Sequence, residues 1–143
     1  MERILILDFG SQYSQLIARR VRELGVFSEL HPFNLAIEKI KQLIPSGIIL
    51  SGGPSSVYES GAPHPDPHIF DLNIPVLGIC YGLQIIAHQL GGQVDTQAKR
   101  EFGASDLFIQ DSTDLFKNIG FGIGKTKVWM SHGDALTKLP DNF

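Results

Sequence analysis

Three times in its first eighty residues the chain strings together three or four mostly apolar residues and then stops at a glycine-containing turn. Ile4-Leu5-Ile6-Leu7 runs into Asp8-Phe9-Gly10, Ile48-Ile49-Leu50 into Ser51-Gly52-Gly53-Pro54, and Val76-Leu77-Gly78-Ile79 into Cys80-Tyr81-Gly82. Runs this short and unbroken read as strands buried on both faces, as in a parallel sheet. Helical spacings of three and four fill the gaps. Leu16, Ile17, Val21 and Leu24 lead to a stop at Gly25; Ile37, Ile40 and Ile44 to Pro45-Ser46-Gly47; Leu83, Ile86, Ala87 and Leu90 to Gly91-Gly92. Val26 to Leu30 reads as a weaker strand. This alternation predicts an α/β fold of three layers, with a mostly parallel central sheet and helices on both faces. In such sheets ligands sit beyond the carboxyl ends of the strands. The loops Asp8–Tyr13, Ser51–Ser55 and Cys80–Gly82 should therefore meet on one edge.

The remainder is less patterned. Residues 55–68, with Pro63, Pro65 and Pro67, read as a surface loop, and beyond residue 92 the best strands are Leu107–Ile109 and Lys127–Met130. A length of 143 residues suits one domain. Hydrophobic residues at 43% against 19% charged exclude a disordered chain. The lone cysteine, Cys80, excludes a disulfide scaffold and fits a reducing compartment. A net charge of −3 argues against nucleic acid as a partner. Lys39 and Lys41, beside Glu38, read as a solvated helix face. No stretch approaches the ~20 apolar residues of a membrane span, and Met1–Asp8 is too short for a signal peptide. The expectation is a cytoplasmic protein with no membrane partner.

Chemistry concentrates at Gly78-Ile79-Cys80-Tyr81-Gly82. A nucleophile between two glycines, at the passage from strand to helix, is the nucleophile-elbow pattern with sulfur in place of oxygen. The helix that begins at Tyr81 would aim its positive end at the sulfur, a setting that favours a thiolate. The Tyr81 N–H would meet a developing oxyanion, and Gly53 N–H, after the third strand, would be a second donor. The plainer readings are a buried inert cysteine and a tight turn. A thiolate usually works with a base. His88 is eight residues along the helix from Cys80 and out of reach, His64 and His68 read as solvated loop residues, and His31 precedes Pro32. His132, in Met130-Ser131-His132-Gly133-Asp134, follows a strand at a glycine turn and is the nomination from chemistry alone. Two other patterns fall away. Gly124-Lys125-Thr126 lacks the glycine a phosphate loop needs at position 119, which is isoleucine. Prolines 65 and 67 keep His64 and His68 off one helical face, so no metal site is expected.

Taken together, Gly78-Ile79-Cys80-Tyr81-Gly82-Leu83-Gln84 and Ser51-Gly52-Gly53-Pro54 resemble the class I glutamine amidotransferase family. Ile6-Leu7-Asp8-Phe9-Gly10-Ser11-Gln12-Tyr13, Arg100-Glu101-Phe102-Gly103 and Trp129-Met130-Ser131-His132-Gly133-Asp134 are similar to the branch found in GMP synthases, rather than those serving anthranilate, carbamoyl phosphate or CTP. The resemblance covers the whole chain and implies a flavodoxin-like form of the three-layer sheet. It implies attack by Cys80 on the side-chain amide of glutamine, a glutamyl thioester, and release of ammonia that aminates XMP. Tyr81 and Gly53 become the backbone oxyanion donors. Gly52, Gln84, Ser131, His132, Gly133 and Asp134 become the glutamine pocket, which displaces His132 as base. The family's base and carboxylate lie in a His-Pro-Glu motif that this sequence lacks: His31-Pro32 continues with Phe33, and His64-Pro65 with Asp66. The expectation is that residues 1–143 stop short of the end of the amidotransferase domain and are inactive alone. A synthetase domain or subunit holding ATP, magnesium and XMP would lie elsewhere, and the full enzyme would be a homodimer. The amidotransferase part itself would need no cofactor. The alternatives are another elbow-cysteine hydrolase, related to gamma-glutamyl hydrolase, and a non-catalytic binding module.

Overall fold

The structure, a computed structural model, describes residues 2–117 and 124–141, with the side chains of 97–101 and 132 outside that description. Its elements are β1 (Arg3–Asp8), α1 (Ser14–Glu23), β2 (Phe27–Pro32), α2 (Ile37–Leu43), β3 (Gly47–Leu50), β4 (Val76–Gly78), α3 (Tyr81–Gln89), β5 (Gln93–Ile109) and β6 (Gly124–Lys138), with short 3₁₀ turns at Pro67–Leu72 and Asp114–Phe116. The chain divides into two compact units, one running to Asp95 and resuming at Leu136, the other Thr96–Ala135.

In the first unit the four strands form a wholly parallel sheet in the order β2-β1-β3-β4. Leu5 pairs with Ile48 and Leu7 with Leu50, which sets these four side chains on one face. They are buried in a cluster with Ile37 and Ile40 of α2 and Ile85 and Ile86 of α3. On the opposite face Ile6 is buried, and Ser28, the partner of Ile4, donates its hydroxyl to the Ala18 carbonyl of α1 at 2.9 Å. Helices thus cover both faces of β1, and for that reason its sequence is continuously apolar. The expected layers and strands of this unit hold, with ends shifted by a residue or two.

Strand order reverses at β1. The chain goes first to β2 on one side, then to β3 and β4 on the other, so the carboxyl ends of β1 and β3 flank a switch point. The loop after β1 is tied down locally. Asp8 Oδ1 accepts from Gly10 N–H at 2.9 Å and from the Ser14 hydroxyl at 2.7 Å, and Gly10 takes φ +93°.

The second unit was the less legible part. β5 and β6 pair as a two-stranded sheet and extend far beyond the short apolar stretches that marked them. The glycine turn expected at Ser131–Asp134 is not one: those residues lie inside β6. A glycine can sit within a strand, and nothing in this ladder requires a break. Asp106 on β5 takes Lys125 at 2.7 Å and Lys127 at 3.0 Å, alternate residues of β6 that share one face. Those ammonium groups hold the Asp106 carboxyl below its usual range. Ile119, on which the phosphate-loop reading turned, lies outside the described residues. Among the described residues no helix is long and apolar enough to cross a membrane.

Candidate active site

Cys80 joins β4 to α3 at φ +53° and ψ −111°, a conformation that non-glycine residues rarely adopt and that persists only where the surroundings impose it. The flanking glycines show what imposes it. A methyl group on Gly78 would lie 2.5 Å from Leu83 N and 2.6 Å from Leu83 Cα; one on Gly82 would overlap the Leu50 carbonyl and stand 2.7 Å from Leu50 Cβ. Helix α3 therefore begins so close to the ends of β3 and β4 that no side chain fits at either position, and the turn between must be sharp. Its apex, Cys80, is exposed. The elbow reading holds in geometry, and the buried-cysteine reading does not.

Hydrogen bonds then decide which amides are left over. Gly82 N–H bonds the Ser51 carbonyl at 3.1 Å and that of Ile79 at 3.0 Å; Leu83 and Gln84 turn back to the Cys80 carbonyl at 3.0 and 3.2 Å. Tyr81 N–H, at the head of α3, has no protein partner among the described residues. Nor has Gly53 N–H. Ser51, fully buried, is the peg between loops. Its N–H bonds the Leu7 carbonyl at 3.0 Å, and its hydroxyl accepts from Phe9 N–H at 3.0 Å and donates to the Gly52 carbonyl at 2.9 Å. A methyl group on Gly52 would stand 3.4 Å from Cys80 Cβ and 3.7 Å from Ser11 Oγ, and one on Gly53 would overlap the Phe9 carbonyl. The three loops meet on one edge, as expected.

Gln84 lies one helical turn past Cys80, buried, with an Oε1 that has no partner among the described residues. An orphaned acceptor there suits a residue that waits for a ligand. Ser131, Gly133 and Asp134 lie along β6 in the second unit; the backbone of His132 runs with them, and its side chain lies outside the described residues.

The other histidines have partners of their own. His31 bonds Glu29 at 3.2 Å and His68 bonds Asp66 at 2.7 Å. The Asp66 carboxylate holds the exposed His68 imidazolium, raising its pKa. His64, expected in solvent, is half-buried instead, its ring 5.6 Å from that of His88, which meets Tyr58 edge-on at 5.4 Å. A groove of about 510 Å³ at the ends of β1 and β2 is lined by Asp8, Phe9, His31 and Phe33, without Cys80.

Sequence reasoning passed over the side chain of Tyr81. Its ring is fully buried and 5.6 Å from Phe9, which in turn lies 5.8 Å from Phe33. Its hydroxyl donates to the Pro63 carbonyl at 2.9 Å. Burial, with Glu59 adding to it, pushes the phenol up to about 12. The only hint in the sequence was a large aromatic between a nucleophile and a glycine.

A family model described as glutamine amidotransferase class-I matches residues 5–143. A glutamine-hydrolysing GMP synthase from Desulfotalea psychrophila is 56% identical over 143 residues, 99% of this chain and 27% of that protein. One from Bacillus velezensis is 55% identical over 142 residues, with the same shares. The chain thus spans about a quarter of the length of these relatives. The crystal structure of a Thermoplasma acidophilum protein, a candidate GMP synthase subunit, superposes with a TM-score of 0.77 at 28% identity, over 99% of this chain and 70% of that one.

Proposed function

The chain belongs to the class-I glutamine amidotransferase family, and we propose that it carries the glutamine-hydrolysing half-reaction of a GMP synthase. The Cys80 thiolate attacks the side-chain amide carbon of glutamine. Negative charge develops on the amide oxygen, and the Tyr81 and Gly53 N–H groups receive it. Collapse of the intermediate expels ammonia, which takes its proton from a general acid, and leaves a glutamyl thioester. Water, deprotonated by the same group, then releases glutamate. Gly52 and Gln84 hold the substrate. The base and its carboxylate partner come from a His-Pro-Glu motif, which residues 1–143 do not contain; among the described side chains no histidine hydrogen-bonds Cys80. The ammonia aminates XMP, activated by ATP and magnesium, in a synthetase domain or subunit, within a cytoplasmic homodimer that has no nucleic-acid partner.

The observation that carries this reading is the strained Cys80 elbow with two unpartnered amides, Tyr81 and Gly53, at the ends of adjacent strands. Similarity to GMP synthases supports the choice of acceptor over a simple hydrolase. The test is amination of XMP by the complete natural chain, with its synthetase partner if separate, supplied with glutamine or with ammonia. Cys80→Ala should lose the first and keep the second. Glutamine-dependent amination that survives this change would overturn the proposal.

A further inference from the structure

We propose that the Tyr81 side chain, not only its backbone N–H, positions the oxyanion hole by clamping Phe9 and the 57–65 loop onto the helix that follows Cys80. This rests on the reading of Cys80 as nucleophile and of Tyr81 and Gly53 as the paired donors. The two donors sit on different strand ends, so something must fix their separation. The Gly53 backbone packs so tightly on the Phe9 carbonyl that a methyl group would overlap it. The Phe9 ring leans on the Tyr81 ring at 5.6 Å, tilted by 54°. One residue thus carries the first donor on its backbone and braces the seat of the second with its side chain.

The loop that follows Gly53 is fastened to the same helix. The Tyr81 hydroxyl holds the Pro63 carbonyl at 2.9 Å, Gln89 Nε2 reaches Pro65 O at 3.5 Å, and His88 packs against both Tyr58 and His64. Three side chains of α3, one at its start and two at its end, therefore grip residues 58–65. A buried phenol needs a partner for its hydroxyl, and here that partner is loop backbone. With its pKa pushed up to about 12, the hydroxyl remains a donor throughout the neutral range.

Tyr81 is thus a positioning residue, and kinetics separate that role from a purely structural one. Steady-state glutamine hydrolysis is measured in the complete natural chain carrying Tyr81→Phe, Tyr81→Leu, Phe9→Leu or the double change Tyr81→Leu with Phe9→Leu. Misplacement on the order of 1 Å is worth about 10²-fold in rate. The expected loss in kcat is about 10–100-fold for Tyr81→Leu and about threefold for Tyr81→Phe, which keeps the ring. KM for glutamine should stay within about threefold, because the oxyanion forms only in the transition state. The double variant should lose less than the product of the single losses, since both act on one seat. Alkylation of Cys80 by iodoacetamide should keep its wild-type rate. Wild-type kcat in Tyr81→Phe would overturn the proposal even if Tyr81→Leu does not fold. So would a rise in KM at constant kcat, or multiplicative losses in the double variant. Failure of the underlying reading looks different: Cys80→Ala would then still turn over glutamine, whatever Tyr81 does.

Discussion

Gly53→Ala should disable glutamine hydrolysis through one added methyl group. The new Cβ would overlap the Phe9 carbonyl oxygen and fall 3.2 Å from Phe9 C and 3.3 Å from Phe9 Cβ. Phe9 cannot simply retreat, because its N–H is held by Ser51 at 3.0 Å and its ring packs on Tyr81. Ordinary contact would then require Gly53 to shift by roughly 1 Å, a misplacement worth about 10²-fold in rate. Outright loss of one oxyanion donor is worth about 10²–10³-fold. The prediction is a fall in kcat of about 10²–10³, or ~3–4 kcal/mol at about 1.36 kcal/mol per decade, with KM for glutamine within a few fold. The assay is ammonia release from glutamine by the complete natural chain. Gly25→Ala, at the end of α1, is the control. Gly25 also has an unfavourable φ, +79°, but nothing lies within 4 Å of the new methyl group. It should lower stability by about 1 kcal/mol and leave kcat alone. Wild-type kcat in Gly53→Ala, or an effect confined to KM, would refute the donor role and leave Gly53 as a tight turn.

Three other outcomes are expected. A glutamine analogue bearing an alkylating group should label Cys80 in the intact protein; label that persists in Cys80→Ala would place the nucleophile elsewhere. Residues 1–143 on their own should release no ammonia from glutamine above background, while a chain extended through a His-Pro-Glu motif does. Comparable kcat in the two would return His132 as the candidate base. The Tyr81 phenol, pushed up to about 12 by burial and by Glu59, lies above its ordinary value of about 10 in the unfolded chain. Its contribution to stability is therefore complete below about pH 10 and is lost as pH rises toward 12. Urea midpoints should fall more steeply over that window in wild type than in Tyr81→Phe, and parallel slopes would contradict the burial argument.

The parallel sheet was legible because β1 is covered on both faces, so Ile4-Leu5-Ile6-Leu7 has no polar break. The ribbon was not. Phe102 is 68% exposed, Phe108 65% and Trp129 79%; with little of either face buried, no alternation of apolar and polar residues marks where β5 and β6 begin and end. The same absence made Gly133 resemble a turn. At the site, Cys80 stood out because its flanking glycines are a local requirement of the elbow, visible as G-x-C-x-G.

By itself the sequence determined the class of fold, the elbow that carries Cys80 and the strand ends from which the surrounding loops spring, since each depends on residues near in the chain or on the period of burial. Only the tertiary structure decided why the glycines are glycines. Gly82 meets Leu50, thirty-two positions away, and Gly53 meets Phe9 across forty-four. It alone decided that Tyr81 reaches back to Pro63 and Phe9, and that the His64 ring packs against that of His88. These are pairings between strand ends and loops far apart in sequence, created by strand order and register, and no local pattern encodes them.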